Sequence, residues 1–173
     1  MELKFEELPY QLDAVNAVAN LFAGQPNHAR TFDLTSQGTG RFVGNGLDLD
    51  WETLGRNLNA VQKQNGQPET EIGAHGLNFS LEMETGTGKT YVYLRTVYEL
   101  NRRYGWKKFV IVVPGVPIRE GVLKSLEITR AHFDGVFGRP VMRYAEYSST
   151  RLSDLRAFAV NDHIEILVIN IQS

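Results

Sequence analysis

Apolar residues at Leu8, Leu12, Val15, Val18 and Phe22 recur every three or four positions, the period of one helical face. Pro9 suits the first turn of that helix, and Gly24-Gln25-Pro26 closes it. Beyond it the regular pattern stops. Nine of the sixteen glycines fall before residue 78, many in Ser36-Gln37-Gly38-Thr39-Gly40 and Gly44-Asn45-Gly46, and such runs mark loops. Thr31–Leu34 and Phe42-Val43 read as short strands, and Trp51, Leu54, Leu58 and Val61 predict a helix from about Asp50 to Gln64. Residues 24–77 therefore read as a loop-rich insertion behind a leading helix within residues 1–23.

From Asn78 the pattern is regular. Strands are expected at Asn78–Met83, Lys108–Val113, Pro140–Glu146 and Glu165–Ile171, each separated from the next by a helical stretch. The first two begin 30 residues apart, the length of one βαβ unit. Phe109-Val110-Ile111-Val112-Val113 is apolar on both faces, as a strand covered by helices on both sides must be. The helices carry stripes to bury: Tyr93, Val97, Leu100 and Tyr104; Ile118, Val122, Leu126 and Phe133; Leu152, Leu155 and Phe158. The expected fold class is α/β, a parallel sheet with helices on both faces formed by residues 78–173.

Composition agrees with an ordinary globular chain: 173 residues, 42% hydrophobic, 22% charged, formal charge −2. Disordered, collagen-like and disulfide-stapled classes are excluded. No apolar run approaches the roughly 18 residues of a membrane span, so a cytoplasmic protein without a membrane partner is expected. With no cysteine and four scattered histidines there is no zinc-ligand spacing. Charge changes the picture only when divided: residues 1–77 carry five basic against ten acidic side chains, and residues 78–173 thirteen against ten. Nucleic-acid binding is thus not announced by charge and must rest on motifs.

The strongest chemistry is Met83-Glu84-Thr85-Gly86-Thr87-Gly88-Lys89-Thr90, between an expected strand and an expected helix. A helix N-terminus offers backbone N–H groups and positive dipole to an anion. Gly86 and Gly88 let the backbone curl around phosphates. Lys89 reaches the β- and γ-phosphates and is the candidate catalytic side chain; the Thr90 hydroxyl is placed to ligate Mg2+. Thr85, Gly86, Thr87, Gly88, Lys89 and Thr90 together form the expected nucleotide cradle. Met83 stands where the usual pattern has its first glycine.

Thr-Gly-Thr-Gly-Lys-Thr after an apolar strand resembles motif I of superfamily 2 helicases and translocases, in which that first glycine is often replaced. The opening from Phe5 to Val15, with Tyr10-Gln11-Leu12-Asp13-Ala14, resembles the opening of that superfamily, and Val112 to Val122 resembles its motif Ia. With the terminal Val168-Ile169-Asn170-Ile171, the set most resembles the N-terminus of the Res subunit of type III restriction-modification enzymes. The likeness covers essentially the whole chain, although residues 24–77 contribute little to it. It implies a RecA-like P-loop lobe, ATP and Mg2+ as cofactors, ATP hydrolysis that drives movement on double-stranded DNA before cleavage, and a methylating, site-recognising Mod subunit as partner.

The resemblance further implies that Gln11 reads the adenine edge, since its amide has both donor and acceptor, and that Phe5 or Tyr10 stacks on the base. Locally, a solvated Gln11 and a core Tyr10 fit equally well. It also implies DNA-backbone contacts at Gly115 and Arg119, although Arg119 reads as well as a solvated partner of Glu120 or Glu127. Arg102, Arg103, Lys107 and Lys108 complement a helix dipole and receive no binding role. Asn170, Gln172 and Ser173 fall at the ligand-binding edge of such sheets without an assignable role.

Hydrolysis in this class needs a later acidic pair to hold Mg2+ and a second domain with an arginine finger. No Asp-Glu pair occurs, so the chain is expected to be the leading part of a larger protein, with incomplete catalytic machinery of its own. The alternatives are a general superfamily 2 RNA or DNA helicase, a nucleotide-binding module without catalysis, and a P-loop small-molecule kinase, in which the Gln11 and Pro114 segments would have no role.

Overall fold

The computed structural model describes residues 5–28, 30–33, 41–73, 76–148 and 150–171. Leu34, the Ser36–Gly40 run, His75, Gln172 and Ser173 lie outside them. Among the described residues the elements in chain order are α1 (Pro9–Asn20), β1 (Arg30–Asp33), β2 (Arg41–Gly44), α2 (Trp51–Gln64), α3 (Lys89–Tyr104), β3 (Lys108–Val113), α4 (Val116–Phe137), β4 (Met142–Glu146), α5 (Leu152–Val160) and β5 (Ile164–Asn170). They form two compact units. One comprises residues 6–26 and 47–99, the other Phe5, Asn27–Gly46 and the chain from Leu100.

In the sheet-bearing unit, β3, β5 and β4 pair in parallel in that order. Val110 lies opposite Leu167, and Ile166 opposite Tyr144. β3 leads through α4 to the far edge, and β4 leads back through α5 to the centre. Right-handed crossovers in opposite directions place α4 and α5 on opposite faces. The architecture is thus α/β, a parallel sheet flanked by helices, consistent with an open, incomplete RecA-like fold.

Two expectations are corrected. Asn78–Met83 is not a strand: it pairs with no strand among the described residues, and Leu81 is exposed. Its alternation of Phe79, Leu81 and Met83 is a strand pattern, but a strand exists only where a neighbour completes its hydrogen-bond ladder. Nor is β3 covered on both faces, because Val110 and Val112 are 51% and 58% exposed. β3 is an edge strand; the doubly buried position belongs to β5, where Ile164, Ile166, Leu167 and Val168 are all buried.

β1 and β2 form an antiparallel hairpin in this unit. Asn45 follows it and grips the start of β3: its Oδ1 accepts from the amides of Lys107 (2.9 Å) and Lys108 (3.0 Å), and its Nδ2 donates to the Lys108 carbonyl (2.6 Å). Trp106 Nε1 donates to the Gly46 carbonyl at 2.8 Å. Polar groups at the start of this edge strand are thus met by one side chain.

In the other unit, α1 packs on α2. Asp50 caps α2 by accepting from the Thr53 amide at 2.7 Å, which satisfies a first-turn donor. Asn57 of α2 donates to the carbonyls of Leu21 (3.0 Å) and Ala23 (2.9 Å), meeting acceptors left over at the end of α1.

Candidate functional site

The Gly-rich loop runs from Met83 into α3, which begins at Lys89. The first helical bond there joins the Val92 amide to the Gly88 carbonyl (3.0 Å), so the helix start faces the loop. Gly86 and Gly88 adopt φ of +83° and +86°, a region open to glycine at little cost. Gly88 has a second reason to be glycine. A Cβ there would stand 2.5 Å from Gln11 Nε2.

Four side chains set the loop's shape. The Thr87 hydroxyl (2.6 Å) and Lys89 Nζ (2.7 Å) both donate to the Glu84 carbonyl. The Thr87 carbonyl accepts from Gln11 Nε2 at 2.8 Å and from the Tyr10 hydroxyl at 3.3 Å. Gln11 is buried, at 7% exposure. The start of α1 is itself tied to α3: Arg95 Nη1 lies 2.7 Å from both Glu7 Oε1 and the Tyr91 hydroxyl. The Tyr91–Arg95 spacing of four is visible in sequence; the Glu7 partner, 88 positions from Arg95, is not.

Thr90 follows Lys89 in the first turn of α3; burial raises the Tyr93 pKa, with the nearby Thr90 hydroxyl acting in the opposite direction. A groove of about 1070 Å³ opens beside the loop, with Tyr10, Asp13, Gln62, Glu84 and Thr87 among its walls. These residues fit a magnesium-bound nucleoside triphosphate: an amide-lined cradle, a lysine at its mouth and a hydroxyl one residue on. Among the described residues no group of three or more His, Asp or Glu is gathered to hold a metal by itself.

The other expected residues lie in the sheet-bearing unit. The Phe5 ring packs on His132, 5.0 Å between centroids. Gly115 is the N-cap of α4, with no side chain capping that turn. Arg119 is not a solvated side chain. Its Nη2 lies 2.9 Å from Glu120 Oε1 and its Nη1 2.5 Å from Glu146 Oε1. Sequence reasoning anticipated Glu120 and missed Glu146, which comes from another strand end with no spacing signal. No helix among the described residues is long and apolar enough to cross a membrane.

Residues 4–173 match the family model described as type III restriction enzyme, res subunit. The chain belongs to the Res-subunit family. It is 31% identical over 143 residues to the type III restriction-modification enzyme EcoPI Res subunit of Escherichia phage P1, and 32% over 144 to the EcoP15I Res subunit of Escherichia coli. Each alignment covers 80% of this chain and 14% of the relative. The StyLTI Res subunit of Salmonella typhimurium is 52% identical over 58 residues, 32% of this chain and 6% of that protein. The chain thus spans about a seventh of the length of the first two relatives.

Proposed function

We propose that this chain is the ATP-binding N-terminal portion of a Res subunit, the ATP-dependent translocating and DNA-cleaving component of a type III restriction system. The observation that carries it is the loop: two positive-φ glycines, a helix beginning at Lys89, and Lys89 poised on a loop carbonyl. Thr85 to Thr90 would hold the phosphates, and Thr90 would ligate Mg2+, which would supply charge neutralisation. Lys89 carries its ammonium from the Glu84 carbonyl toward the phosphate oxygens. Tyr10 with its ring and Gln11 with its amide would hold the base, and because Gln11 donates to the Thr87 carbonyl, adenine contact and loop shape would be interdependent.

Double-stranded DNA is the proposed track, touched through Gly115 and Arg119, and a Mod subunit is the proposed partner in the parent complex. The test is titration with a fluorescent ATP analogue in the presence of Mg2+. Wild type should bind, and Lys89→Ala should lose at least about tenfold in affinity, since it removes a charge-assisted contact of the 1.5–3 kcal/mol class. Equal affinity in the two proteins would place the nucleotide elsewhere.

A further inference from the structure

Two arginines converge on one carboxylate at the carboxyl-terminal edge of the sheet. Glu146, which ends β4, has Arg119 Nη1 2.5 Å from its Oε1 and Arg151 Nη2 3.8 Å from its Oε2. Arg119 comes from the first turns of α4 and Arg151 precedes α5. Because β5 lies between β3 and β4, the Arg119–Glu146 pair spans the end of the central strand. Their side chains are only 16% and 31% exposed, unlike a freely solvated pair. Each arginine also has an outer acid: Glu120, 61% exposed, lies 2.9 Å from Arg119 Nη2, and Asp154 stands 3.7 Å from Arg151 Nη1.

Two guanidinium groups facing the two oxygens of one anion, Arg119 in close contact and Arg151 within ion-pair range, present the donors that a phosphodiester would engage. Here the anion is the protein's own. The site lies at the strand ends where parallel sheets take their ligands, next to the uncapped first turn at Gly115. We propose that Glu146 is an internal stand-in for a nucleic-acid backbone phosphate: Arg119 and Arg151 form a phosphate site that Glu146 keeps neutralised until a phosphodiester displaces it. The inference rests on the reading of this edge as the DNA-facing one and adds its regulation. A carboxylate that must be displaced weakens each contact, which suits a protein that has to release the backbone repeatedly.

The experiment is fluorescence anisotropy of a labelled duplex of about 20 base pairs, titrated with the 173-residue chain across a salt series. Glu146→Gln keeps an acceptor for Arg119 but removes the competing charge. It should tighten binding about threefold to tenfold at low salt and steepen the salt dependence by up to about one ion. Glu127→Gln, which removes a carboxylate from the exposed pair with Lys124, should leave affinity unchanged and so separates displacement from bulk charge. Arg151→Ala, at a half-exposed side chain, should weaken binding. No tightening by Glu146→Gln, an equal gain from Glu127→Gln, or no loss from Arg151→Ala overturns the proposal while the DNA-facing reading stands. Failure of wild type to bind duplex, or binding indifferent to Arg119→Ala, overturns that reading and the proposal with it.

Discussion

A methyl group on Gly88 would meet Gln11 Nε2 at 2.5 Å, on a backbone with φ of +86°. Gly86 has nearly the same φ, +83°, but open space where its Cβ would be. The two glycines therefore separate two costs that the motif presents as one. Gly86→Ala should cost about 1–2 kcal/mol, the conformational term alone, and weaken nucleotide binding by about tenfold. Gly88→Ala should weaken it further, because Gln11 must also leave the Thr87 carbonyl, and pairing it with Gln11→Ala should recover only the steric part. Nucleotide titration of the four proteins measures this; equal losses in the two single variants would show that Gln11 does not press on the loop. The glycine spacing was legible in the sequence. The atom for which Gly88 makes room was not, because Gln11 and Gly88 are 77 positions apart and no local rule joins them.

Among elements, strand interiors that look alike in sequence differ in the sheet. Val112 and Val168 each sit inside an apolar run, yet Val112 is 58% exposed and Val168 0%. Val168→Ala should destabilise by about 2 kcal/mol, and Val112→Ala by no more than about 0.5 kcal/mol; urea unfolding of both checks the strand order, which equal losses would contradict. Strand positions were readable because alternation and turn residues are local. Order was not, since crossovers decide it, and Asn78–Met83 shows a good pattern left unrealised for want of a ladder partner. In α2 the cap adds a pH signature. The Thr53 amide and hydroxyl bonds hold the Asp50 pKa below 3.8, so its stabilisation is present above the unfolded value and disappears as pH falls through the folded one. Asp50→Ala should lower Tm at neutral pH, with the difference closing as pH falls below about 4; a difference constant with pH would remove the charge from the account.

For the whole molecule, the net charge of −2 is the sum of −5 from residues 1–77 and +3 from residues 78–173, and it conceals what each part brings to the chemistry. Phosphoryl transfer to water needs a phosphate cradle, a metal held on both sides and a group that orients the water. On the proposed reading, Thr85–Thr90 are the first. For the others, no Asp-Glu pair occurs in the sequence, and the described residues gather no acidic cluster. The loop's own acid, Glu84, engages Lys89 and Thr87 through its backbone carbonyl. Binding and turnover should therefore separate: the chain should hold Mg-ATP in a Lys89-dependent way and yet release phosphate no faster than Lys89→Ala, with or without duplex DNA. Phosphate-release assays beside the binding titration decide this. DNA-stimulated turnover abolished by Lys89→Ala would mean that a water-orienting group lies within these 173 residues, and the exposed acids near the loop, Glu82 and Glu84, would be the first to substitute.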